Sequence, residues 1–228
     1  MKNCFRWIEL NVIFLACIIT LGVLLINPGV GFATDINELI FQGADAHYKG
    51  NLDQAVRLFE TAVRFDPANE FAHNQLGILY TKKERYDRAY KEFSMVYKID
   101  ANNTFAMLWL GILHLRKGDL TNAFEWFNAI IRIDPDNADA YYFLGAIYNF
   151  RHNTSKGVEY LKKARDADSD EPDTHYRLAQ AFHNLDMPQN ALLEYRRTLA
   201  LKPSHTKAIN GTGWIYYNRG ERNAAIAE

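Results

Sequence analysis

Cysteine is nearly missing from this chain of 228 residues: Cys4 and Cys17 are the two there are, both within the first 17 positions. Beyond them no thiol remains, which excludes a disulfide framework, a cysteine nucleophile and a Cys-ligated zinc site there. An excess of charge is missing too, with 26 Lys+Arg against 27 Asp+Glu and a formal net charge of -1. That balance removes the basic footprint a nucleic-acid binder needs against phosphates, so no nucleic-acid partner is expected. The sequence also holds no Gly-rich Lys-Ser nucleotide loop, no His-Glu-x-x-His and no Gly-x-Ser-x-Gly elbow. The expectation is a non-enzyme with no cofactor. What is present is 48% hydrophobic, 23% charged and 14% aromatic residues, the composition of a globular chain and not of a disordered one.

Two local patterns imitate metal sites and fall short. His175 and His183 share a predicted helix but lie eight apart, poorly placed for one ion, and read as a packed histidine and a groove histidine. Asp166, Asp168 and Asp170 open like a calcium loop. Glu171 then stands where the sharp turn needs glycine, and Arg177 where the closing glutamate belongs. A solvated loop with capping acids is the expectation, and no metal.

The first 33 residues differ from the rest. Lys2 and Arg6 precede an apolar run from Leu10 to Ile26, after which Asn27-Pro28-Gly29 ends the helical pattern. Gly31-Phe32-Ala33 supplies the small residues of a cleavage site, so 1–33 reads as a secretory signal cut after Ala33. The run of 17 residues also reaches the short end of a membrane span, and an uncleaved signal-anchor is the alternative. In both readings the remainder is exported, to a periplasm or the outer side of an inner membrane, with residues 10–26 touching the bilayer if uncleaved.

From residue 36 onward a period of 34 governs the sequence. Ala55, Ala89 and Ala123 are 34 apart, and Gly157, Ala191 and Ala225 continue the series. Four residues on stand Phe59, Phe93, Phe127, Leu161 and Tyr195. A second series of small residues runs Gly43, Gly77, Gly111, Gly145, Ala179 and Gly213. Helical periodicity on both sides of a short turn predicts two antiparallel helices per repeat, A then B. Small residues let A and B approach, and the bulky side chain fills the junction. Repeat four has Gly157 for the usual alanine and lacks the turn glycine, which predicts its softness.

Segments such as Leu76-Gly77-Ile78-Leu79-Tyr80 and Arg132-Ile133-Asp134-Pro135-Asp136-Asn137 resemble the tetratricopeptide repeat family. The resemblance covers 36–228, with repeats at 36–69, 70–103, 104–137, 138–171 and 172–205 and a partial one at 206–228. It implies an all-α, right-handed α-solenoid of helix pairs. The sequence stops partway through the sixth B helix. Solenoids usually end in a polar cap, so the expectation is a longer protein or cover by another chain.

In that family the A helices line a concave, peptide-binding face. The resemblance places Asn74, Ile78, Lys82, Leu108, Ile112 and Arg116 on the first half of it. On the second half it places Tyr142, Asn149, Tyr176, Gln180, His183 and Trp214, with Phe150 and Tyr217 beside them. Ile40 and Ala44 stand where chaperone-binding members need lysine and asparagine, so chaperone C-termini are not expected as ligands. Phe41, Gln75, Trp109, Phe143, Arg177 and Gly211 replace the asparagine ladder of the repeats in O-linked GlcNAc transferase. The resemblance implies a non-catalytic scaffold that binds proteins or peptides, in a setting like bacterial envelope assembly. A recognition arm of a larger enzyme and a self-associating assembly protein are the alternatives.

Overall fold

Helix starts recur along the chain because their caps recur. Asn69, Asn103 and Asn137 each turn a side-chain oxygen to accept the backbone N–H three residues on, at 3.0, 2.9 and 3.0 Å. Such a cap satisfies one of the N–H groups that a helix start leaves unpaired. Asp66 and Asp134 brace the loop before two of these caps, accepting from the Asn69 and Asn137 amides at 3.1 and 2.9 Å. In the later repeats the cap changes chemistry: His205 Nδ1 accepts from the Ala208 N–H at 3.1 Å.

The computed structural model describes residues 35–221, 223 and 224. The expected leader, and the choice between cleaved signal and anchor, lies outside the described residues. The A helices are α1 (Ile36–Tyr48), α3 (Glu70–Lys82), α5 (Thr104–Arg116), α7 (Ala138–Phe150), α9 (Pro172–Asn184) and α11 (Thr206–Asn218). The B helices are α2 (Leu52–Phe65), α4 (Tyr86–Ile99), α6 (Leu120–Ile133), α8 (Thr154–Ala167) and α10 (Pro188–Leu201). Among the described residues there is no strand, and no helix is long and apolar enough to cross a membrane.

Each A helix passes to its B helix through one residue with left-handed backbone. Gly50, Gly118 and Gly220 hold this place at φ 77–78°, where glycine meets no Cβ penalty. Glu84, His152 and Asp186 hold the equivalent places at φ 57°, 60° and 54°. The missing turn glycine of repeat four is therefore His152 adopting the conformation glycine would supply.

The chain divides between Leu113 and His114 into two compact units. In the first, Phe59 and Phe93 are fully buried, each lying over the glycine of its own A helix. A Cβ on Gly77 would sit 2.5 Å from the Phe93 ring, so the residue there must be small. Phe93 also stacks on Trp109 of the next A helix at 5.5 Å with the rings 3° from parallel. In the second unit Phe127 stacks on Phe143 at 4.9 Å, and Leu161, Leu178, Ala191, Ala208 and Ile215 belong to the buried core. Each bulky side chain contributes about 1.5–3 kcal/mol by leaving water.

Two repeats add a polar staple to this core. His73 Nδ1 meets Glu92 at 2.7 Å and its Nε2 the Pro67 carbonyl at 3.1 Å. His175 makes the same bonds to Glu194 at 2.6 Å and the Ser169 carbonyl at 2.9 Å, three repeat lengths further on. Each histidine thereby ties an A helix to its B helix and to the loop before it. The expectation of a packed histidine at 175 holds, since it is 3% exposed. Glu194, 2% exposed, also receives Arg197 at 3.0 Å and Arg165 at 3.5 Å.

Candidate partner-binding surface

Adjacent A helices touch through residues about one repeat apart, and these contacts mark the face they share. In the first unit Lys82 Nζ lies 2.6 Å from His47 Nε2. Burial, and then the neighbouring ammonium, pushes the His47 pKa down, and burial lowers that of Lys82. The ring is thus neutral near pH 7 and accepts the lysine proton donor, while Lys82 remains an exposed cation at the end of α3. Asn74 lies eight residues earlier on the same helix. Its Oδ1 is buried with no hydrogen-bond partner, as is Trp109 Nε1.

The aliphatic places are less available than the sequence implies. Ile78 is 3% exposed and Leu108 7%, so both side chains are spent on packing and do not offer surface. Ile112 is half-buried, and Arg116 is exposed. Apolar side chains on neighbouring A helices bury more area against each other than they would leave facing water, which is why they close over.

In the second unit the sequence-named residues separate into structural and open ones. Tyr142 accepts a hydrogen bond from Arg177 Nε at 3.3 Å and meets Phe143 edge-on at 5.2 Å. Tyr176 packs against His205 at 4.7 Å and Tyr195 at 6.0 Å. Asn149 turns inward. Its Oδ1 is buried without a partner and would lie 1.9 Å from a Cβ on Gly157. Gly157 is therefore the space that Asn149 occupies, a reason the sequence alone does not show. Open to solvent are Trp214, Tyr217 and Phe150, at 54%, 64% and 70% exposure. His183, half-buried, lies against the Trp214 ring at 4.5 Å, and Gln180 is one turn before it on α9. Rigid exposed rings beside an amide suit an extended peptide, which offers apolar side chains and backbone polar groups together. Among the described residues no group of three His, Cys, Asp or Glu is placed to hold a metal.

Family models agree with this architecture in two stretches. One described as tetratricopeptide repeat matches residues 42–104, and one described as TPR repeat matches 113–149. The chain contains tetratricopeptide repeats. No curated protein matches the sequence. Among solved structures, MamA is 25% identical over 67% of this chain and 89% of its own, with a TM-score of 0.59. YrrB, described as a TPR protein with an unusual peptide-binding site, is 16% identical over 77% and 90%, with a TM-score of 0.58. PilF of Pseudomonas aeruginosa is 15% identical over 84% and 87%, with a TM-score of 0.75. A tetratricopeptide repeat fold implies a protein–protein interaction scaffold, with proteins or peptides as partners.

Proposed function

We propose that the chain is a non-catalytic scaffold, exported or tethered to a membrane, that takes extended segments of partner proteins on its A-helix faces during assembly of envelope complexes. The observation that carries this reading is the exposed set Phe150, Trp214 and Tyr217 on α7 and α11, with half-buried His183 against Trp214 and Gln180 one turn before it on α9. Aromatic side chains with few rotatable bonds give large contact area at low entropic cost and dominate binding energy where they reach a partner. The export reading rests on the basic and apolar order of residues 1–33 and on the cleavage-like Gly31-Phe32-Ala33. Among the sequence-named residues of the second unit, Gln180, His183 and Trp214 stand as the binding set. Tyr142, Tyr176 and Asn149 support it from within.

The test is affinity capture with the full chain and with a Trp214→Ala, Tyr217→Ala variant, from membrane and soluble fractions. Both side chains are more than half exposed, so far-ultraviolet dichroism is expected to stay unchanged while a discrete set of envelope proteins is lost. Retention of the full set by the variant would overturn the assignment of this face.

A further inference from the structure

Where α9 meets α11 the surface is rich in hydrogen-bond donors and poor in charge, and both traits narrow what an extended segment lying there can be. Asn210, Trp214 and Tyr217 stand at i, i+4 and i+7 along α11, which puts them on one helix face, and all three are exposed. Gln180 and His183, three apart on α9, share a face in the same way. The His183 ring against Trp214 at 4.5 Å joins the two faces into one surface. None of these five residues is an acid, a lysine or an arginine. The nearest cation on α9, Arg177, turns the other way and donates from Nε to the Tyr142 hydroxyl on α7 at 3.3 Å.

Among the described residues no hydrogen bond engages the Trp214 indole N–H, the Tyr217 hydroxyl or the side-chain amides of Gln180 and Asn210. An indole N–H donates and accepts nothing. A peptide that meets it must therefore present carbonyls. Proline carries a carbonyl and no N–H, so a proline-rich segment needs donors from its receptor and leaves no backbone N–H unpaired. Its flat, apolar pyrrolidine rings also suit the faces of rigid aromatic side chains.

Spacing points the same way. Gln180 and Trp214 are 34 apart, and so are His183 and Tyr217, so each pair holds equivalent places on adjacent A helices. Packed helices lie about 8–10 Å apart. A polyproline II helix rises about 3.1 Å per residue and returns to the same face every third residue, roughly every 9.3 Å. A β-strand returns every second residue, about every 6.6–6.8 Å, and falls out of step with the helices beneath it. We propose that the segment taken by this surface is proline-rich and lies across α9 and α11 as a polyproline II helix, one turn to each helix. Its pyrrolidine rings rest on Trp214 and Tyr217, and its carbonyls accept from the Trp214 indole, the Tyr217 hydroxyl and the Gln180 amide. Such a segment arrives already extended, which keeps the entropic cost of binding low. This partner class rests on the reading of the face given above.

The test is fluorescence polarisation of labelled peptides titrated with the full chain in non-ionic detergent. The probes are a ten-proline peptide, about 31 Å long as a polyproline II helix, and a Gly-Ser peptide of equal length. The proline peptide should bind at least tenfold tighter, and equally well at about 50 mM and about 500 mM salt, since no ion pair contributes. Trp214→Ala with Tyr217→Ala should weaken it at least tenfold with unchanged far-ultraviolet dichroism. Trp214→Phe, which keeps a ring against His183 and removes the donor, should weaken it about two- to tenfold. Equal binding of the two peptides overturns the proposal, as does proline binding untouched by the double variant. Absence of proline binding up to about 1 mM chain overturns it too. Should envelope proteins then still be captured by the wild type and lost from the double variant, the face takes segments of another kind, and only the partner class falls. A double variant that retains the captured proteins removes the reading of the face and the partner class together.

Discussion

The smallest features here are pairs of residues that explain each other. Gly157 reads as a weak point in a helix until Asn149 is seen lying across it. Gly157→Ala alone is therefore expected to destabilise, since the Asn149 amide must move. Asn149→Ala with Gly157→Ala recovers at least the wild-type stability, because Gly→Ala favours a helix by about 1 kcal/mol. The coupling between the two sites, read from chemical denaturation of the single and double variants, should reach about 1–2 kcal/mol. An additive result would mean that Asn149 does not need the space. The His–Glu staples have a pH signature. Glu194, outweighing burial, raises the His175 pKa, and at His73 the bonds to Glu92 and the Pro67 carbonyl outweigh the larger opposing effect of burial. A raised folded pKa gives stability fully present below about 6.5 and lost as pH rises through the folded value. The stability gap between wild type and His175→Gln should thus be widest near pH 6 and shrink on the alkaline side. A gap that grew with pH would contradict the pairing. The spacing of His73 and His175, and of Glu92 and Glu194, was readable in the sequence as one pattern three repeats apart. The bond across 19 residues was not, because only tertiary packing brings A position four against B.

Elements were far more legible than side-chain contacts. Helix starts at 36, 70, 104, 138, 172 and 206 follow from a period that small residues and caps repeat without a break. The turn geometry was legible at Gly50, Gly118 and Gly220 but hidden at Glu84, His152 and Asp186, where the same left-handed backbone is imposed on residues that disfavour it. Left-handed backbone costs an ordinary residue about 1–2 kcal/mol. Glu84→Gly should stabilise by about 0.5–1 kcal/mol after the entropy of glycine is counted. His152→Gly and Asp186→Gly should gain less, since histidine and aspartate tolerate this region better. Gly50→Ala should lose about 1 kcal/mol. Denaturant midpoints decide the matter, and a loss at either of the first two would refute the strain. The candidate surface was half legible for a similar reason. Trp214 and Tyr217 are exposed as their register implies, whereas Ile78 and Leu108 are drawn into packing by neighbours that periodicity alone does not describe.

Over the whole molecule, stability should be distributed repeat by repeat, since in repeat proteins each helix pair leans mainly on its neighbours. Phe93→Ala, which empties a fully buried site, should cost about 3–5 kcal/mol. Amide exchange should quicken first in α3 and α4 and much less in α9 and α10. Uniform acceleration over all eleven described helices would show instead a single cooperative block. The two staples lie one in each unit, at His73 and His175, and both hold a proton more firmly folded than unfolded. At pH 7.5 His47, whose pKa burial lowers, is neutral in either state and adds nothing. Unfolding there must then expel protons into the buffer, so the heat of melting becomes a property of protein and solvent together. It should come out smaller in Tris, whose protonation releases much heat, than in phosphate, and the difference counts the protons the histidines let go.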